Sequence, residues 1–142
     1  MTAAPSVRAI TVRPPWTLPI LAGIKGTENR RQPTRWRGLL AIHVSRTRCE
    51  VGDADPRVQR VRAAYRATRA ARLADAYGCV VAVADLVDCH PDAGCCAPWG
   101  DPDAFHLTLH GVRLLPRPIP TRGALGVWTP PPPIAARLLD LT

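Results

Sequence analysis

No apolar run in this 142-residue chain approaches the roughly 18 to 20 residues needed to cross a bilayer, so a transmembrane helix is excluded. The opening stretch, Met1 to Arg8, lacks the basic and apolar blocks of a secretory signal, which makes a cytoplasmic protein the expectation. The five cysteines (Cys49, Cys79, Cys89, Cys95 and Cys96) are an odd number and cannot all pair within one chain. Reduced thiols fit that count better than a disulfide framework. Internal repeats are also missing, and the length suits one domain spanning 1–142 with one core.

Lysine is nearly absent. Lys25 stands alone against 18 arginines, and Glu28, three residues on, is one of only two glutamates. Where positive charge is all that is needed, this sequence uses Arg. A position that stays Lys calls for a compact ammonium, or an amine able to lose its proton, where Arg would bring a planar fork. The net charge of +8 is also uneven. Residues 1–72 hold fifteen bases and four acids, a net of +11, while the remainder holds four bases and seven acids, a net of −3. A basic half suits an anionic partner, although an arginine-rich coding bias gives the same count without one.

The coarse pattern is strand-rich with early helices. Val7 to Val12 alternates as a first strand, Trp16 to Ala22 reads as a short helix closed by Gly23, and Glu28-Asn29-Arg30 begins a second extended piece. Leu39 to Val44 is a compact apolar strand, followed by a polar loop over 45–55. Asp55-Pro56 signals a helix start, and the helix is predicted to run to about Tyr77 and stop at Gly78. Val58, Val61 and Tyr65 share one face of it, beside an arginine face of Arg62, Arg66 and Arg69 that is either solvated or turned to phosphate. Cys79 to Val87 reads as a buried central strand. Phe105 to His110 and Gly111 to Leu115 read as two more, Pro116 to Pro120 as a connector, Gly123 to Trp128 as a closing strand, and 135–139 as a terminal helix. The expected fold is mostly β with α insertions near 15–22 and 56–77, a small barrel of five or six strands.

One order of residues stands out between Val7 and Val44. Ile10-Thr-Val-Arg-Pro-Pro-Trp16 precedes Gly23-Ile-Lys25-Gly-Thr-Glu28-Asn-Arg30, and Trp36-Arg37-Gly38 then leads into Ile42-His43. Val80 to Val87, Phe105-His106-Leu107 and Gly123 to Trp128 follow in turn. Together these segments resemble the ASCH family, over roughly residues 7–130. The resemblance implies a PUA-like β-barrel with an RNA-binding cleft. Carried onto this chain, it puts Trp16, Lys25, Glu28, Arg30, Trp36 and Arg37 at the site for nucleic acid or nucleotide. In such a cleft Lys25 and Arg30 neutralise phosphate, a Trp face stacks an unpaired base, and Glu28 accepts from an exocyclic amine. RNA or a modified nucleotide is the expected ligand, DNA is possible, and no membrane partner is expected.

Each of these residues also has a plainer reading. Lys25 and Glu28 can be an ion pair closing a turn, and Trp16 and Trp36 can be packing residues. Arg30 and Arg37 can tie down loop carbonyls, His43 reads as a satisfied structural histidine, and Trp128 reads as core.

Two further functional classes remain open. Some small relatives in the same superfamily are amidohydrolases of acylated cytidine, with a Lys and a Thr nucleophile. Here Lys25 matches, but Glu28 occupies the Thr position, and Thr27, one residue off, would face the other side of a strand. The catalytic alternative is therefore Lys25 with Glu28 as an acid/base pair acting on RNA or a modified nucleoside. The third class is a protein-interaction module for an acidic partner. No cofactor is expected. Cys89-His90 and Cys95-Cys96 offer four possible metal ligands, but adjacent side chains usually point apart. The expectation is no metal, with reduced thiols in a loop packed by Trp99.

Overall fold

The computed structural model describes residues 4–142. It contains a five-stranded, curled sheet, a half-barrel, with five helices among the described residues. The strands are β1 (Arg8–Val12), β2 (Thr27–Arg30), β3 (Gly38–Val44), β4 (Cys79–Pro91) and β5 (Phe105–Pro120). Their spatial order is β1-β3-β4-β5-β2, so β4 is central, as its unbroken apolar run predicts. β1 runs parallel to β3, and every other pairing is antiparallel.

Both faces of the sheet are buried. Along β3, Leu40, Ile42 and Val44 join a cluster with Leu18, Ile20 and Leu73, while Ala41 joins the opposite cluster with Trp128 and Leu138. The first cluster is roofed by α1 (Thr17–Leu21), α3 (Pro56–Ala64) and α4 (Arg69–Ala74), and the short α2 (Glu50–Asp53) lies between α1 and α3 in the chain. The second is covered by α5 (Pro132–Asp140), which brings the fully buried Leu138. A strand buried on both sides loses the polar half of its alternation. That is why Val80 to Ala84 reads as continuous hydrophobicity.

Several expectations are corrected. The helix forecast over 56–77 is two helices, broken where Ala67 adopts φ +62° and Thr68 starts a new turn by accepting from the Ala71 amide at 3.2 Å. The arginine face breaks with it: Arg62 pairs with Asp53 at 2.9 Å, and Arg69 donates to the Leu115 carbonyl. The loop expected over 45–55 contains α2. The two strands and connector expected over 105–120 are one bent strand, turned at Gly111 with φ +63°. Gly123 to Trp128 forms no full strand. It contributes one bridge, Trp128 to Ala9 on β1.

The half-barrel leaves β1 and β2 as its two edges. The outer side of β1 is occupied at Ala9 by the Trp128 bridge and, two residues on, by the Arg30 side chain, which donates from Nη2 to the Thr11 carbonyl at 2.8 Å. The gap between the edges is thus spanned by a side chain where a closed barrel would have a ladder.

Candidate functional site

Lys25 reaches its place through the end of α1. Pro19 lies inside that helix, and its carbonyl accepts from both the Ile24 and Lys25 amides, at 3.0 and 2.9 Å. Gly23, at φ +76°, turns the chain toward β2. Lys25 is then only 3% exposed, and its ammonium donates to the Thr27 carbonyl and, at 3.2 Å, to Glu28 Oε1. The other carboxylate oxygen of Glu28 accepts from Arg30 Nη2 at 2.9 Å. A linear chain results, ammonium to carboxylate to guanidinium, with Arg30 ending on Thr11.

Burial and charge act in opposite directions on Glu28. Burial pushes its carboxyl up, but the charges and hydrogen bonds of Lys25 and Arg30 together outweigh burial and hold it below the ordinary carboxylate value. Glu28 is therefore an anion and a weak proton acceptor. One donor in the chain is unused: Arg30 Nε is buried without a hydrogen-bond partner among the described residues.

This chain of charges lies at a cleft of about 950 Å³. Thr11 and Val12 border it from β1, Arg13 from just beyond that strand, and Glu28 to Thr34 from β2 and the turn after it. It therefore occupies the open seam of the half-barrel. Trp16 lines it as well, 5.9 Å from the Lys25 ammonium to the ring centroid. Gly52 of α2 approaches the Trp16 indole so closely that an added Cβ would sit 2.9 Å from it. α2 and Trp16 are therefore packed without room for a side chain between them. Exposed Val51 and Leu125 also line the cleft.

Of the six site residues expected from sequence, Trp16, Lys25, Glu28 and Arg30 line this cleft, and Trp36 and Arg37 do not. The Trp36 indole donates to the Leu39 carbonyl and carries the Arg8 guanidinium over its ring at 5.2 Å. Arg37 donates to the Thr34 and Trp36 carbonyls, capping its own turn. Thr27 is buried and does not line the cleft, as its offset from Glu28 requires. His43 is satisfied at both nitrogens, by Thr11 Oγ1 at 3.1 Å and the Thr121 carbonyl at 2.8 Å, and Trp128 packs edge-on against it.

Sequence reasoning missed Asn29, Arg31, Arg57 and Trp99 on the cleft wall. Asn29 holds the Trp99 carbonyl with its amide nitrogen at 2.9 Å and the Asp101 amide with its oxygen at 2.8 Å. It is the chain's single asparagine, and that rarity was the available signal. Arg57 comes from α3 and lies over the Trp99 ring at 4.8 Å, a contact between distant segments with no local signature. Trp99 was expected to pack the thiol loop; it is 8% exposed and forms part of the cleft wall as well.

A second cluster of polar side chains lies behind Trp99. His90, Cys95, Cys96 and His106 each bring one donor atom to within 4.8 Å of the others. The expectation that Cys95 and Cys96 point apart is corrected, since their sulfurs lie 3.4 Å from each other. Compared with known family models and with curated proteins, the chain matches none.

Proposed function

We propose that this chain is an ASCH-type, PUA-like module that recognises single-stranded RNA or a modified nucleotide in the Lys25/Glu28/Arg30 cleft. The observation that carries the reading is the charge chain at the edge of a cleft of about 950 Å³, with a buried Arg30 Nε that has no hydrogen-bond partner among the described residues. The volume is at the upper end of the roughly 300 to 1,000 Å³ typical of small-molecule sites and can hold a nucleotide. Exposed Arg13 and Arg31 line it and make no ion pair with a described residue, so their charge is available to phosphate. Trp16, Val51 and Leu125 offer apolar surface for a base.

Binding is favoured over catalysis by the state of Glu28. A general base works best with a proton affinity near the working pH, and this carboxylate is held below even the ordinary value. Its role in this reading is to accept hydrogen bonds and to fix Lys25 and Arg30.

Fluorescence anisotropy with short single-stranded RNAs tests the proposal. Saturable binding that weakens at least about tenfold in Arg31→Ala, and also in Lys25→Ala shown to be folded, is expected. No binding by the wild-type protein, or binding indifferent to both substitutions, defeats it. Turnover of acetylated cytidine by the wild-type protein would favour the hydrolase reading instead.

A further inference from the structure

We infer that His90, Cys95, Cys96 and His106 form a structural zinc site that clamps the β4–β5 loop. The inference does not rest on the function of the cleft. His90 and His106 are opposed in register across β4 and β5, with ring centroids 5.5 Å apart. The loop between the strands folds Cys95 and Cys96 back over them. His90 Nε2 lies 3.3 Å from each sulfur, and the sulfurs are 3.4 Å apart. A zinc tetrahedron with bonds of about 2.0 Å to nitrogen and 2.3 Å to sulfur has edges of about 3.3 to 3.8 Å. Three of the donors therefore already stand at tetrahedral spacing.

The fourth ligand residue, His106, brings a ring nitrogen to within 4.8 Å of the other three donors. His106 is fully buried, and its Nε2 lies 2.7 Å from the Asp101 carbonyl. A carbonyl only accepts, so Nε2 carries the hydrogen, and in the neutral ring Nδ1 is left with a free lone pair. That Nδ1 is buried with no hydrogen-bond partner among the described residues. A buried acceptor without a partner is costly, and a metal ion satisfies it. His90 is oriented from behind in the same manner, its Nδ1 lying 2.8 Å from Asp88 Oδ2. Anchoring each imidazole through its far nitrogen is the usual outer-shell arrangement of zinc histidines.

Two thiols and two imidazoles complete a closed Cys2His2 set with no position left for water, which marks a structural role. On binding, each thiol gives its proton to solvent, and the two thiolates neutralise the dication. The fold makes room for this arrangement at Gly100, where an added Cβ would lie 2.7 Å from both the Cys96 Cβ and the His106 ring. The clamp also reaches the cleft. The Trp99 and Gly100 amides both donate to the Cys96 carbonyl, and Asn29 grips Trp99 and Asp101 from the other side. The metal would thus fix the wall that carries Trp99.

Metal analysis of the full chain, untagged and purified under reducing conditions, tests the inference. About one zinc per chain should survive desalting, and chelation should lower the melting temperature by on the order of 5 °C or more. Cobalt(II) should replace zinc with the visible bands of a tetrahedral site and a thiolate charge-transfer band. Cys95→Ser and His106→Gln should each retain less than about a third of the wild-type metal. The wild-type measurement decides the matter even if a variant fails to fold. Folded wild-type protein with no stoichiometric zinc and both thiols freely reactive overturns the inference. So does a Cys95–Cys96 disulfide in metal-free protein, or a cobalt spectrum without thiolate.

Discussion

The Lys25 ammonium stands 3.2 Å from Glu28 Oε1, and both residues are almost sealed from solvent, at 3% and 8% exposure. Removing Lys25 leaves the buried Glu28 carboxylate with Arg30 as its one remaining charged partner, and taking away half of a buried charge's compensation costs more than the pair itself contributes. Lys25→Met should therefore lower stability by on the order of 3 kcal/mol, and Glu28→Leu on the Lys25→Met background should restore part of the loss. Urea denaturation of the two singles and the double checks this. Additive losses would show that the two side chains do not depend on each other.

Acid should unfold the protein partly through Glu28. Its folded-state pKa is depressed, so its contribution is complete above the ordinary value of 4.5 and is lost as pH falls from there through the depressed value. Denaturation midpoints taken from pH 7 to pH 3 should drop below about pH 4.5, and drop less steeply in Glu28→Gln. An unchanged acid slope in that variant would assign the acid sensitivity to other carboxylates.

At the break between α3 and α4, two neighbouring substitutions should act in opposite directions. Thr68→Ala removes a helix cap and should cost about 1 kcal/mol. Ala67→Gly relieves a left-handed conformation at φ +62° and should gain about 0.5 to 1 kcal/mol. Melting temperatures that move the same way in both would contradict this account of the break.

Gly123 is a packing position, because an added Cβ would lie 2.7 Å from the His43 ring and from Thr11 Oγ1. Thr11 Oγ1 also meets the Trp128 indole nitrogen at 3.1 Å, so the clash falls on a connected set of hydrogen bonds. Gly123→Ala should cost about 1 to 3 kcal/mol by thermal denaturation. A neutral result would mean that the segment swings away freely.

RNA affinity, if the proposed function holds, should fall linearly with the logarithm of salt concentration. Arg13→Ala and Arg31→Ala should each reduce that slope by about 0.7. Anisotropy titrations at three or more salt concentrations measure it, and unchanged slopes would place the phosphates elsewhere.

Much of the strand layout was legible because apolar runs such as Leu39 to Val44 announce themselves whatever their partners. Lys25, Glu28 and Arg30 were legible for a different reason, since they are close in sequence and rare or regularly spaced. Features assembled from distant segments were not. Arg57 over Trp99 joins residues 42 positions apart in the chain. His106 completes the cysteine cluster only because β5 folds back on β4 in a register that sets it opposite His90. The helix break has almost no local signature, because Arg66, Ala67 and Thr68 are all compatible with a continuing helix. Only the cap formed by Thr68 reveals the turn.

The border strands of the cleft, β1 and β2, share no main-chain ladder, and Arg30 is what reaches from one to the other. A ligand that wedged between them would have to displace one guanidinium contact, whereas opening a closed barrel breaks a row of amide bonds. Such a site can admit guests of different width at little cost to the rest of the sheet, and a substitution at position 30 alone would reset how far it yields.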